Sequence, residues 1–299
     1  MISGVLNIYK EKGFTSHDVV AKLRGICKQK KIGHTGTLDP EAEGVLPVCF
    51  GSATKLCDLL TDKRKEYVAE LILGVETDTQ DMTGTVLRQC KVNVTEDAVR
   101  ETVASFLGES SQIPPMYSAI KVGGKKLYEL ARAGIEVERA ARKIEIFEIE
   151  ILSMELPKVT FRVLCSKGTY VRTICHDIGK KLGCGGAMAS LLRTRVDRFT
   201  KETALRLSEV EKLRDEGKLL EHVIAVSDMF PELPRLVVAN QYKKLIDNGN
   251  PFLPEQCVNG PDTPYEEVRV YNEDGLFYGI FSFDQEKKRY QPVKMFLDR

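Results

Sequence analysis

Four residues of this chain have the types and settings that chemistry needs: Asp39, His34 beside it, Tyr67 and Arg172. Asp39 and His34 sit in residues 33–48, G-H-T-G-T-L-D-P-E-A-E-G-V-L-P-V, a span that also holds Gly33, Gly36 and Gly44. Glycines at that density let the backbone take positive φ and approach a ligand closely. Pro40 steers Asp39 away from the α region, which puts its carboxylate on a loop. A carboxylate displayed there can act as a nucleophile if a neighbouring cation keeps it ionised. The run Asp39-Pro40-Glu41-Ala42 also suits a helix start, with Asp39 as N-cap and Pro40 at the first helical position. On this stretch alone both readings stand.

The flanking elements follow from periodicity. Residues 65–73 alternate, with Tyr67, Ala69, Leu71 and Leu73 on one side, and read as a strand. Residues 74–84 read as a polar loop. Ser16 can cap a helix carrying Val19, Val20, Leu23 and Ile26, and Thr95 one carrying Val99, Val103, Phe106 and Leu107. Residues 143–156 alternate but change phase near Phe147-Glu148, the mark of a bulged strand; residues 159–165 form a cleaner one. Thr169 then opens a helix to Leu182 with Val171, Ile174, Cys175, Ile178 and Leu182 as its buried stripe. Arg172 falls in its first turn, off that stripe, where a cation opposes the helix dipole. It therefore faces water or takes an anionic partner, and Asp39 would suit. Residues 191–196 read as another strand, and Ser208 with Glu211 as a capping box. Residues 229–234 hold two prolines and read as a linker. The tail beyond has a helix ending near Gly249, a hairpin around residues 272–275 and a last strand near 293–297, consistent with a small β-rich second domain.

The bulk composition, 42% hydrophobic and 29% charged in 299 residues, is that of an ordinary globular chain. No apolar run approaches the roughly 18 residues of a membrane span, and the N-terminus lacks a signal-peptide layout. Eight cysteines are scattered without a C-x-x-C pair, and the four histidines (17, 34, 176, 222) are dispersed, so no metal site is expected. Phosphate-cradling glycine motifs are absent, so no nucleotide cofactor is expected either. The expected setting is a reducing cytoplasm. Net charge is only +1, yet residues 115–143 carry seven Lys/Arg against three Glu, and residues 160–200 eight against two Asp. The first cluster follows Pro114-Pro115, which breaks regular structure, and is interleaved with Tyr117 and Tyr128. Such a stretch is either an exposed loop with ordinary charges or an arm that lies along an RNA backbone.

The string G-H-T-G-T-L-D-P at 33–40 with E-G-V-L-P-V at 43–48 resembles the signature of the TruB-type tRNA pseudouridine synthases. Four further blocks resemble that family in the same order: G-S-A-T-K at 51–55, K-x-Y at 65–67, Q-x-P-P-x-Y-S-A-x-K at 112–121, and S-K-G-T-Y-V-R-T at 166–173 followed by Asp177-Ile178-Gly179. The likeness covers about residues 2–210. One departure is Glu11, where the family has proline in its Lys-Pro-x-Gly-x-Thr-Ser segment.

The resemblance implies an α+β pseudouridine-synthase-like catalytic domain over residues 1–230, built on a largely antiparallel mixed sheet. It also implies an RNA-contacting arm at 115–143 and a small β-rich, PUA-like domain over 231–299. The implied reaction converts a uridine in the T loop of tRNA, position 55, into pseudouridine without a cofactor or metal. Asp39 then matches the catalytic aspartate, Arg172 its paired arginine, and Tyr67 the base-stacking tyrosine and candidate proton acceptor. Leu191 matches an apolar pocket wall, and His34 the residue that fills the space left by the flipped base. Tyr170 and Lys121 lie in the matching blocks and Lys10 opens the Lys10–Ser16 segment; all three are further substrate-binding candidates. The expected partner is the tRNA T-arm stem-loop, met by a monomer away from membranes. The competing readings are a non-catalytic RNA-binding or tRNA-folding module on the same scaffold, and the catalytic subunit of a guide-RNA particle; the intact Asp39, Tyr67 and Arg172 and the extended arm favour the stand-alone enzyme.

Overall fold

Strict alternation makes the central strand. In a computed structural model that describes residues 1–297, the strand Lys65–Leu73 buries Lys65, Tyr67, Ala69, Leu71 and Leu73 and turns the residues between them outward. It lies near the middle of a nine-stranded sheet. In spatial order the main path runs Gly4–Lys10, Glu43–Phe50, Gly186–Val196, Lys65–Leu73, Lys158–Cys165, Arg142–Glu155 and Gly108–Gln112. Ile32–His34 and Phe199–Thr200 pair at its side. Every pairing is antiparallel but one. Gly186–Val196 and Glu43–Phe50 run parallel, joined only at Leu192 with Glu43 and Arg193 with Gly44. That short seam fuses the two halves of the sheet and brings the loop before Glu43 against the central strand. It demands glycine: Gly44 has φ of 108°, and a Cβ there would stand 2.2 Å from the Arg193 carbonyl oxygen.

Two apolar cores flank this seam. Tyr67, Ala69, Leu71, Phe161 and Val163 pack with Val171, Ile174 and Ile178 of the helix Val171–Lys181 and with Val99 and Val103 of Glu96–Ala104. Leu6, Ile8, Leu46 and Val48 pack with Val19, Val20 and Leu23 of the helix Ser16–Cys27 and with Leu207 and Val210 of Leu207–Asp215. The C-terminal strands Arg235–Val238, Glu267–Asn272, Phe277–Asp284 and Arg289–Met295 form a separate sheet, parallel in its first pair and antiparallel thereafter. Ile280 and Phe296 join Val5, Val45 and Val196 in a further cluster that seats this sheet on the larger body. Among the described residues no helix is long and apolar enough to cross a membrane.

The expected α+β class, mixed sheet and β-rich tail are present, and the phase change in Arg142–Glu155 is a register shift between Ile146 and Glu148. Several boundaries differ from the sequence reading. Thr15, not Ser16, caps the first helix, in a capping box with Asp18; the Ser16 hydroxyl is taken instead by the Leu38 N–H at 2.9 Å. Tyr170, not Thr169, precedes the Val171 helix, because Gln112 holds its backbone on both sides (Tyr170 N–H to Gln112 Oε1 at 2.8 Å, Gln112 Nε2 to Tyr170 O at 3.1 Å). Ser208 lies inside its helix, and Glu209 rather than Glu211 reaches back, to the Arg206 N–H. Residues 74–84 are not wholly loop, since Val75–Thr77 pairs with Val86–Gln89. The strand expected at 191–196 starts at Gly186, and the last strand ends at Met295. Asp298 and Arg299, the end of the 231–299 assignment, lie outside the described residues.

Candidate active site

Asp39 does not begin a helix. Residues 37–39 have no regular structure and Pro40-Glu41 form a turn, so the capping alternative falls away and the carboxylate stands on a loop. The loop is braced from below. The Lys10 ammonium, wholly buried, donates to the backbone carbonyls of Pro40, Ala42 and Glu11. Burial pushes Lys10 down to about 8. Gly13 N–H donates to Pro40 O at 2.9 Å, Lys12 pairs with Glu41 at 3.1 Å, and Ser16 holds Leu38. The segment that lost a proline at position 11 thus still grips the loop through Lys10, Gly13 and Ser16.

Arg172 faces this loop from the opening turn of its helix. Its Nη2 lies 3.3 Å from Asp39 Oδ2 and its Nη1 3.6 Å from Asp81 Oδ2. Nη2 also donates to Tyr117 O at 2.6 Å, at the root of the basic arm. The helix holds its position because Gly179 packs against Gly186; a Cβ at Gly179 would meet the Gly186 nitrogen at 2.1 Å. Thr173 adds a bond to Gln80 at 2.7 Å. The expected anionic partner is therefore present, and a second one with it. Asp81 was hidden in a polar loop; the only signal was an acid between Thr79 and Thr83, whose hydroxyls both donate to its Oδ1.

Tyr67 lies on the central strand, in register with Arg193 of the neighbouring strand, while Leu191 sits opposite Ala69 two residues along. Leu191 is half-buried against the same core as Tyr67. Burial raises the Tyr67 phenol above its ordinary value, and Asp39 adds to that rise. Arg193, 1% exposed, acts in the other direction through its charge. Strand alternation in the sequence gave no hint that an arginine points inward here.

His34 ends the short strand Ile32–His34, its ring edge-on to His17 with centroids 5.2 Å apart. Burial, with help from His17 and Arg193, lowers it to about 4, so it is neutral at physiological pH. Tyr170 presents its ring 5.9 Å from the Arg172 guanidinium carbon. Lys121 lies on the exposed hairpin Lys121–Val122 with Lys125–Lys126, beyond the Tyr117 root of the arm and apart from the Asp39 pair. The helix Leu127–Arg132 continues that arm. The structure thus pairs Asp39 with Arg172, packs Leu38 and Ala42 on either side of Asp39 into the same core cluster as Tyr67 and Val171, uses Lys10 as a brace beneath the loop, and sets Lys121 on the exposed hairpin.

The model of the TruB family pseudouridylate synthase N-terminal domain matches residues 24–171, and that of the tRNA pseudouridylate synthase B C-terminal domain matches residues 172–230. A tRNA pseudouridine synthase B of Lachnoclostridium phytofermentans is 52% identical over 99% of this chain and 100% of its own length. One of Alkaliphilus oremlandii is 47% identical over 97% and 96%. Among solved structures, a Cbf5-Nop10-Gar1 complex aligns with a TM-score of 0.72 and 27% identity over 99% of this chain and 85% of that one. An H/ACA RNP bound to a substrate RNA containing 2'-deoxyuridine aligns with a TM-score of 0.71 and 25% identity over 98% and 85%. With its residues 24–230 matched by both family models and near-full-length relatives of this identity, the chain belongs to the TruB family of pseudouridylate synthases.

Proposed function

We propose that this protein isomerises a uridine in the T loop of tRNA, position 55, to pseudouridine, with Asp39 as the nucleophile. The single observation that supports this best is the asymmetric Asp39–Arg172 pair: the Arg172 side chain is 6% exposed and the Asp39 side chain 43%. One face of the carboxylate is held by a buried cation while the other is open to a substrate. In the reaction the N1–C1′ bond breaks, the uracil turns within the pocket, and C5 bonds to C1′. The C5 proton then leaves and N1 gains one, so nothing is oxidised and no group is supplied from outside.

Extruding the uridine costs a few kcal/mol of stacking. In this reading neutral His34 takes the vacated place beside the neighbouring bases, where a ring without a hydration shell stacks well. Tyr67 stacks on the extruded base and accepts its proton, with Leu191 as the apolar wall. Tyr170 and Lys121 meet the RNA around the groove and along the arm. Residues 1–230 act as the catalytic domain and residues 231–299 as a PUA-like RNA-binding domain. The enzyme works in the cytoplasm as a monomer, without a nucleotide cofactor. Tritium release from C5-labelled uridine in T-arm RNA tests the reading. Release should follow the wild-type protein and stop in Asp39→Ala; equal release from both would discard it.

A further inference from the structure

Arg193 is one of the largest fully buried side chains of the protein, and its charge is met in an unusual way. Its Nε donates to Val45 O at 2.7 Å and its Nη2 to Gly36 O at 3.2 Å. The titratable side chain directly across the strand pair from it is Tyr67, buried like Arg193. A buried guanidinium satisfied by carbonyl oxygens still wants an anion, since the cost of an uncompensated buried charge is large. The phenol across the strand pair is a group able to supply that anion on demand. The same fork ties the strand position opposite Tyr67 to Gly36, in the glycine loop, and to Val45, just past the Asp39 turn.

We propose that Arg193 is the positioning residue that equips Tyr67 as proton acceptor, holding the phenol oxygen against a guanidinium and in fixed relation to the Asp39 loop. The proposal rests on the assignment of Tyr67 to that role in the reaction. Tyr67 enters the step as phenolate, its proton having passed to solvent. Once C5 is bonded to C1′, the phenolate takes the C5 proton. The electron pair of the C5–H bond restores the C5–C6 double bond and leaves negative charge at N1, which takes a proton from water. Tyr67 then returns its proton to water. Arg193 gives way to nothing in this cycle; its charge is worth most when the oxygen beside it is negative.

Burial alone would keep the phenol protonated, and the Arg193 charge across the strand pair opposes that effect. Other charged or titratable groups face the pair from every side. Asp39 approaches from the glycine loop, Cys165 from the adjoining strand and Lys65 from the same strand as Tyr67. Lys10 and His34 approach Arg193 from the Gly4–Lys10 and Ile32–His34 strands. Of these, Arg193 is the cation that stands directly across from Tyr67 in the strand register, and its charge favours the ionised phenol.

The test measures tritium release on T-arm RNA from about pH 6 to 10 for wild type, Arg193→Gln, Arg193→Lys and Tyr67→Phe. Phenolate absorbance, as the difference between each protein and its Tyr67→Phe counterpart, follows the ionisation of Tyr67 directly. Circular dichroism and RNA affinity report folding. Arg193→Gln should lower kcat about thirtyfold or more with KM little changed. The rising alkaline limb of kcat and the Tyr67 titration should move to higher pH together by about one unit or more. Arg193→Lys should keep the limb near its wild-type position while losing about tenfold in kcat, because it keeps charge but not the fork. An unmoved limb and titration in Arg193→Gln, with Tyr67→Phe inactive, would overturn the proposal and leave the Tyr67 assignment standing. Full activity in Tyr67→Phe would remove that assignment and the proposal together. If Arg193→Gln does not fold, Arg193→Lys decides: wild-type kcat there counts against the proposal, and a loss confined to kcat supports it.

Discussion

Asp39 Oδ2 lies 3.3 Å from Nη2 of Arg172, and the two side chains differ sevenfold in exposure, 43% against 6%. The arginine is fixed from behind by Asp81 and by the Tyr117 carbonyl, so the carboxylate is the member of the pair free to meet a substrate. A single ammonium cannot repeat that fork. Arg172→Lys should keep the fold but lower kcat about a hundredfold, read by single-turnover tritium release. Arg172→Met leaves Asp81, 13% exposed, without its cation and should cost on the order of 3 kcal/mol in urea unfolding. A Lys variant within a factor of three of wild type, on that same scale of about a hundredfold, would show that the fork is dispensable.

Gly44 permits the parallel seam. With φ of 108° and the Arg193 carbonyl oxygen 2.2 Å from where a Cβ would sit, Gly44→Ala must push the two strands apart. Strain of about 1–3 kcal/mol from the backbone alone, with the clash added, predicts a clear fall in Tm. Gly217, with φ of 74° and nothing within 4 Å of its Cβ position, is the control: Gly217→Ala meets only the backbone strain. Equal melting of the two variants would remove the seam from the account of how Asp39 is placed.

The buried Lys10 and Lys65, both lowered by burial to about 8 from 10.5, make an alkaline stability signature. The unfolded chain holds these two protons at higher pH than the folded chain does. Stability therefore carries their full penalty below about pH 8 and rises as pH climbs from 8 towards 10.5. Lys10→Met should remove about half of that rise, seen as a shallower slope of unfolding free energy against pH. A slope unchanged in Lys10→Met would mean that Lys10 is not the desolvated cation described.

His34 acts with the same sign in the acid range. Its imidazole is lowered by burial, and by His17 and Arg193, from 6.5 to about 4. The folded state thus resists a proton that the unfolded state accepts, and stability is lost as pH falls from 6.5 towards 4. An NMR titration should find the His34 ring neutral at pH 5.5, and His34→Gln should flatten this part of the stability profile. A midpoint near 6.5 would contradict a desolvated ring set edge-on to His17.

Much of this was legible in the sequence, for physical reasons that differ by element. Burial on one face writes itself into the alternation of Lys65–Leu73 and even into the slip between Ile146 and Glu148. The ordered motif blocks pointed to Asp39, Tyr67 and Arg172 together. Helix starts were less legible, because a hydroxyl near a helix N-terminus has competing uses: Ser16 serves Leu38, while Gln112 rather than Thr169 organises the backbone at Tyr170. Asp81 and Arg193 were invisible for a deeper reason. Their partners, Arg172 and Tyr67, lie 91 and 126 positions away in a chain of 299, and only the closed sheet makes them neighbours.

The most direct measurement of the central claim compares wild type with Asp39→Asn on T-arm RNA, following tritium release and RNA affinity in the same preparations. The substitution keeps the shape of the side chain and its place beside Arg172, and removes the carboxylate charge. The account predicts that release falls by more than about a thousandfold while RNA affinity stays within a few-fold of wild type. Sustained release from Asp39→Asn would contradict it.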